Sequence, residues 1–200
     1  MSFGDVNSSD SELVSFDGTD SCHSRENKLL VIGDSISCGY GVEGAYPCTW
    51  SASTENVLDS YATLVAASVD AEVIVTAWSG KGMVRNYGDK NTTSVDPMPI
   101  YYNRTLANIA DSYWNPEKYQ PDVVIVTLGS NDYSTTPHPS DEDFINGYIN
   151  LLTQVKTDYP NAQIATLCEP YPGNHECENV LAVANAMDTV YIKITDDIYV

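Results

Sequence analysis

Three short stretches of this 200-residue chain put small polar residues where apolar runs end: Gly33-Asp34-Ser35, Ser79-Gly80-Lys81 and Gly129-Ser130-Asn131. A serine hydroxyl is a latent nucleophile. A glycine presents its backbone N–H with no side chain in the way, and a carboxamide adds a second kind of donor. Ser35, Gly80 and Asn131 are therefore the parts of an acyl-transfer site: one nucleophile and the donors that stabilise a tetrahedral oxyanion. Taken singly, each is an ordinary turn residue. On three successive strand ends, they read as a site. Other chemistries fit less well. Gly39 to Gly44, "GYGVEG", matches a dinucleotide fingerprint, but it follows its strand too late and opens no helix, and Glu43 would repel a pyrophosphate. The three histidines (His23, His138, His175) form no close pair, so no metal and no cofactor is expected.

The elements that must position these residues follow from the apolar pattern. Strands are expected at Leu29–Gly33, Glu72–Ala77, Asp122–Leu128, Gln163–Cys168 and Thr189–Ile194, each nearly continuous in Val, Ile and Leu. Such runs suit strands buried on both faces. Between the first two, Val57, Leu58, Tyr61, Leu64 and Val65 share a helical stripe. Ser140 is the expected N-cap of a helix burying Phe144, Ile145, Tyr148, Leu151, Leu152 and Val155 and stopping before Pro160. A third helix is expected from about Cys177 to Met187. Strand and helix in alternation imply right-handed crossovers and a parallel sheet between helical layers, an α/β fold. In such sheets, binding groups gather at the carboxyl ends of the strands. The aromatic, Pro-bearing stretch between Asn86 and Pro121 interrupts the alternation where a binding loop would sit.

Charge narrows the partners. Twenty-eight acidic residues against nine Lys and Arg give a net charge of −19. That field disfavours nucleic acid and anionic membrane, and leaves neutral partners such as sugars. No apolar run approaches a membrane span. The first 21 residues hold five acids and no Lys or Arg, so they are not a signal peptide. Even so, Cys38 and Cys48 flank one short polar loop, Cys168 and Cys177 flank another, and sequons occur at Asn7, Asn91 and Asn103. These favour two local disulfides and an extracellular setting. Cys22 is left over, and the expectation is a chain that does not begin where the natural protein does.

Gly33-Asp34-Ser35, Gly80 and Gly129-Ser130-Asn131-Asp132 resemble three of the four sequence blocks of the SGNH (GDSL-type) hydrolases. "VIGDSISCGYGVEG", "VTAWSGKGMVRNYGD", "DPMPIYYNRTL" and "PDVVIVTLGSNDYS" are similar to the family-two carbohydrate esterases, over about residues 28–195. The resemblance implies a flavodoxin-like three-layer fold with a five-stranded parallel sheet. It also implies deacetylation of polysaccharides, with Ser35 as nucleophile and its own N–H, the Gly80 N–H and the Asn131 amide as oxyanion hole. Asp34 would stabilise the turn. Trp50, Trp78, Tyr101, Tyr102 and Trp114 are available to stack on sugar rings, with acetylated polysaccharide as partner. Residues 1–27 would be a linker and the remnant of a preceding jelly-roll domain ("SELVSFDG"). Residues 28–200 would be the hydrolase domain, lacking the family's C-terminal helix and its histidine block. Asp20 to His23 ("DSCH"), His138 and His175 are the substitutes for that histidine within the chain, and without one the expectation is an impaired esterase or a non-catalytic binding protein.

Overall fold

The computed structural model describes residues 25–45, 47–168 and 176–194. One parallel sheet runs in the order β2-β1-β3-β4-β5, formed by β1 (Asn27–Gly33), β2 (Ala71–Ala77), β3 (Val123–Thr127), β4 (Gln163–Cys168) and β5 (Val190–Lys193). The expected strands are all present, with ends shifted by at most two residues. The period of two divides their side chains cleanly. Leu30, Ile32, Val124, Val126 and Ile164 face one helical layer, whereas Leu29, Val31, Ile125, Ala165 and Leu167 face the other.

The first face is covered by α4 (Asp141–Asp158) and α5 (Glu176–Met187). Ser140 caps α4 as expected, its Oγ accepting the Asp143 N–H at 3.0 Å. Three acids stand in the first turn and Lys156 in the last, which suits the helix dipole. The buried stripe of α4 is Phe144, Tyr148, Leu151, Leu152 and Val155, with Ile145 partly buried beside it. On the other face, α1 (Tyr61–Ser68) corrects the expected stripe. Ala62 and Ala66 are its buried residues, while Leu58, Leu64 and Val65 point outward at 68 %, 57 % and 42 % exposure. A 3₁₀ turn at Val57–Asp59 and the break at Ser60 rotate the helix out of phase with the residues before it. Two alanines one turn apart let α1 lie close on the sheet, and they settle which side turns inward.

Two short helices, α2 (Met98–Tyr102) and α3 (Ser130–Tyr133), belong to the loops at the carboxyl ends of β2 and β3. The register is what matters for a site. Gly33 pairs with Ala77 of β2 and with Thr127 of β3, so β1, β2 and β3 end level. Ser35, Gly80 and Asn131 are each launched from that shared rim.

Candidate active site

β1 delivers its chain to the rim through Gly33, where a Cβ would stand 2.0 Å from Ser37 Oγ and 3.3 Å from the Thr127 carbonyl. The next residues wind into a helix-like turn, with Cys38 N–H on the Asp34 carbonyl at 3.0 Å and Tyr40 N–H on the Ser35 carbonyl at 2.9 Å. Ser35 stands at the start of this turn, half-buried. Among the described residues, neither its N–H nor its Oγ has a hydrogen-bond partner.

Asp34 is the knot of the site. It is fully buried, and its carboxylate accepts the Ser130 hydroxyl at 2.8 Å, the Asn131 amide at 2.9 Å and the Ile36 N–H at 3.0 Å. The Asn131 amide also donates to the Lys81 carbonyl at 3.0 Å. One amide thus ties the chain after β1, the chain after β2 and the chain after β3 to each other. Burial raises Asp34 to about 6, and its three donors oppose that rise.

The loop after β2 is shaped by a second buried carboxylate. Asp132 accepts three successive backbone N–H groups, from Met83 at 2.7 Å and from Val84 and Arg85 at 2.8 Å each. The chain wraps so closely that a Cβ on Gly82 would fall 2.0 Å from the Arg85 carbonyl and 2.6 Å from Asp132 Oδ2. Burial raises Asp132 to about 6 as well. The fully buried Arg85 guanidinium serves carbonyls and a hydroxyl: Asp89 O at 2.6 Å, Thr135 Oγ1 at 3.0 Å and Asn91 O at 3.1 Å. Upstream, Gly80 takes φ = +84°, a left-handed conformation suited to glycine, and its N–H is unpartnered among the described residues. Gly129, at φ = +139°, opens α3, and a Cβ there would meet Phe144 at 3.2 Å. Behind it lies Glu176, buried and pushed up to about 7 by desolvation and then by the Asp132 and Asp34 charges.

Trp78, Tyr101 and Trp114 come together, with Tyr102, around a cavity of about 260 Å³ beside β2. Trp78 is 42 % exposed and its ring lies 5.7 Å from that of Tyr101. Trp114 donates its indole N–H to the Tyr159 hydroxyl at 2.9 Å, while Tyr102 is buried with its hydroxyl on Asp158 at 2.7 Å. Trp50 stands apart from this cavity, bonded to Glu55.

The cysteine expectation divides. Cys168 and Cys177 are bridged, with Cα atoms 5.5 Å apart. Cys38 and Cys48 are free thiols, which corrects the second expected disulfide. Their sulfurs meet different surroundings. Cys38 lies by Ser79 and Glu55, and burial with the Glu55 charge pushes its thiol up to about 11, whereas Cys48 Sγ rests against the Gly41–Gly44 turn. His138 is exposed and packs edge-on against Tyr133, with ring centroids 5.6 Å apart. His175, Asp20 to His23 and Cys22 fall outside the described residues, as do the expected strand remnant "ELVSF" and sequon Asn7.

The description of the GDSL-like Lipase/Acylhydrolase family matches residues 31–197. The chain belongs to that family. It is 37 % identical over 142 residues to Cellulase/esterase CelE of Acetivibrio thermocellus, covering 70 % of this chain and 17 % of that protein. It is 31 % identical over 140 residues to an acetylxylan esterase / glucomannan deacetylase of Cellvibrio japonicus, covering 70 % of this chain and 38 % of that one. The chain thus spans well under half the length of these relatives. Its fold is similar to a family two carbohydrate esterase from Clostridium thermocellum solved in complex with cellohexaose, with a TM-score of 0.76 and 32 % identity over 84 % of this chain and 53 % of that chain. The family two carbohydrate esterase from Cellvibrio japonicus gives a TM-score of 0.77 and 26 % identity over 86 % and 52 % of the two chains. The α/β fold with an all-parallel five-stranded sheet is therefore the fold of these esterases.

The sequence pointed to Ser35, Gly80 and Asn131, and the family resemblance to Asp34 as a turn stabiliser, but not to the other buried carboxylates behind them. Asp132 as anchor of the 83–85 turn and Glu176 behind Gly129 were both missed. The available signal was "SGKGMVR": a loop with two glycines and no cap of its own needs an external acceptor for its N–H groups.

Proposed function

We propose that this chain carries the core of a serine esterase that removes O-acetyl groups from polysaccharide through an acyl-enzyme. The observation that carries the reading is the pair of N–H groups, Ser35 and Gly80, without partners among the described residues, on a level rim where the Asn131 amide is held by Asp34. Ser35 Oγ attacks the acetyl carbonyl, and its proton passes to a base. The tetrahedral oxygen takes the Ser35 N–H, the Gly80 N–H and the Asn131 amide hydrogen now resting on the Lys81 carbonyl. Collapse expels the sugar alkoxide with that proton, and water then releases acetate by the same route. Trp78, Tyr101 and Trp114 offer ring faces to flanking sugars. The relatives named for acetylxylan and glucomannan, and the structural relative bound to cellohexaose, support a polysaccharide substrate. The Cys168–Cys177 disulfide and the exposed sequons Asn91 and Asn103 support an extracellular setting.

The base is the open position. No histidine among the described residues bonds Ser35, and exposed His138 is engaged with Tyr133. A base must therefore come from outside them. A second reading is that the cleft binds acetylated polysaccharide with little turnover. Acetate release from acetylated xylan, together with fluorophosphonate labelling mapped by mass spectrometry, tests both. Labelling of Ser35, and its loss with activity in Ser35→Ala, is the expected result. Activity retained by the alanine variant would overturn the mechanism.

A further inference from the structure

The cavity beside β2 contains a cation with no ion pair among the described residues, which is unusual in a chain of net charge −19. Two cations converge on the Tyr101 ring: Lys81 Nζ at 4.5 Å from its centroid and Arg104 Cζ at 4.8 Å. They are not equivalent. Lys81 is neutralised by Asp96 at 2.7 Å, and Asp96 also receives the Tyr101 hydroxyl at 3.2 Å. Arg104 makes no ion pair among the described residues. One of its nitrogens, Nη1, donates to the Ala107 carbonyl at 2.7 Å, which fixes the guanidinium, and its other N–H groups have no acceptor among those residues. Among the described residues, no carboxylate pairs with it. The ring quadrupole holds both cations, and one unit of positive charge remains facing the cavity.

We propose that Arg104 binds the carboxylate of a uronosyl substituent on the polysaccharide, so that the site prefers acidic acetylated chains over neutral ones. This rests on the polysaccharide reading and adds the substrate's charge to it. A planar guanidinium presents parallel donors that match a carboxylate. A single free cation in a strongly negative molecule suits a monoanion and disfavours a multiply charged phosphate. Trp78 and Trp114 on the same cavity offer faces to the apolar side of the sugar ring that bears the carboxylate. The placement fits the chemistry, since Trp78 and Lys81 flank Ser79 and Gly80 in sequence. A sugar in this cavity would be a neighbour of the one whose acetyl group reaches the rim.

The test compares binding of a glucuronosyl-substituted xylotetraose and its carboxyl-reduced, neutral counterpart. Calorimetry on the Ser35→Ala protein keeps turnover out of the measurement. The acidic ligand is expected to bind about tenfold tighter, as one charge-assisted contact allows, and the advantage should shrink with added salt. Arg104→Gln should bring the ratio of the two affinities to about one, and Arg104→Lys should keep part of it. Equal binding of the two ligands by the unaltered cavity overturns the proposal, whether or not any Arg104 variant folds. So does a preference that survives Arg104→Gln, or displacement of the acidic ligand by acetate or inorganic phosphate at equal concentration. Acetyl-ester turnover is measured separately on the protein with Ser35 intact. Its absence beside an intact preference removes the esterase reading and leaves this one. Failure of both ligands to bind removes the polysaccharide reading, and this proposal with it.

Discussion

Asp34→Asn is the perturbation that most directly probes how the site is held. The exchange is nearly isosteric, but it replaces an acceptor-only carboxylate with one oxygen and one NH2 group. Asp34 has three donors pointed at it: Ile36 N–H on Oδ1, with the Ser130 hydroxyl and the Asn131 amide on Oδ2. If the new oxygen serves Ile36, its NH2 faces Ser130 and Asn131. The Ser130 hydroxyl can rotate to accept, whereas the Asn131 NH2 cannot and must turn away. If the new oxygen serves Asn131, the Ile36 N–H at the start of the Ser35 turn loses its partner. Either way, about one charge-assisted hydrogen bond is lost, worth about 1.5–3 kcal/mol. Against that stands the cost of burying the charge. Even with those donors lowering it, its carboxyl stands at about 6, so the charged form carries a net cost of about 3 kcal/mol at neutral pH that the amide escapes.

Stability and catalysis should therefore part company. The two stability effects nearly cancel, and the melting temperature at pH 7 should move little. A displaced Asn131 amide removes one oxyanion donor, for which kcat falls about 10²–10³-fold. The KM for an acetyl ester should change much less, because the donor acts on the tetrahedral intermediate. Acetate release and thermal melts, on variant and parent of the same length, give both readings. In the parent, the acid limb of kcat should include a group near 6, and the share of it due to Asp34 should disappear in the variant. Parental kcat in Asp34→Asn would refute the anchoring argument. A loss of several kcal/mol in stability would refute the cancellation.

Asp132→Ala strands three buried N–H groups, at about 1–3 kcal/mol each before relaxation, and should cost at least about 3 kcal/mol in denaturant unfolding; a loss under 1 kcal/mol would show that the 83–85 turn holds itself. Reducing the Cys168–Cys177 bridge, or replacing both cysteines with serine, should cost about 2–3 kcal/mol for so short a loop, and an unchanged melting temperature would count against the bridge. Glu176 is raised from 4.5 to about 7, so the folded state binds its proton more tightly than the unfolded chain does, and this group's contribution to stability falls as pH rises from about 4.5 to 7. Glu176→Gln should therefore stabilise the protein at pH 8 and flatten that part of the pH–stability curve; destabilisation at pH 8 would show an unseen partner for the carboxylate.

The strands were legible because a buried parallel sheet leaves a strong mark. Each of the five is a near-continuous Val, Ile and Leu run, and the observed ends differ by at most two residues. Helix α4 was legible for a similar reason, with Ser140, an acidic first turn and a long apolar stripe all in agreement. Helix α1 was not, because bulk suggested the wrong side. Leu58, Leu64 and Val65 carry the apolar area, but only alanines permit so close an approach to the sheet. At the rim, strand ends announce Ser35, Gly80 and Asn131 through local composition. The Asp34–Asn131–Lys81 tie spans up to 97 residues of sequence, and nothing local encodes it. Likewise, cysteine spacing suited both bridges, but it does not report which way each sulfur points. Cys38 lies by Glu55 and Ser79, and both it and Cys48 are free thiols.

Three buried carboxylates behind one rim raise the question of which gives way as pH falls. Asp34, Asp132 and Glu176 are all raised by burial, and Glu176 also feels the other two charges. The hydrogen-bond donors separate them. Asp34 and Asp132 each receive three donors, whereas Glu176 has none among the described residues. Donors aimed at a carboxylate favour its charged form, and Glu176, raised to about 7 against about 6 for the other two, takes the proton first. Near pH 7, Glu176 is therefore the group that gains a proton, which relieves the repulsion on the two anchors while they stay ionised and keep Asn131 and the 83–85 turn in place. An oxyanion forming at the rim adds a further negative charge, and the neutral Glu176 lowers the opposition to it. Glu176 thus serves the site by giving up its charge, and the two anchored carboxylates by keeping theirs.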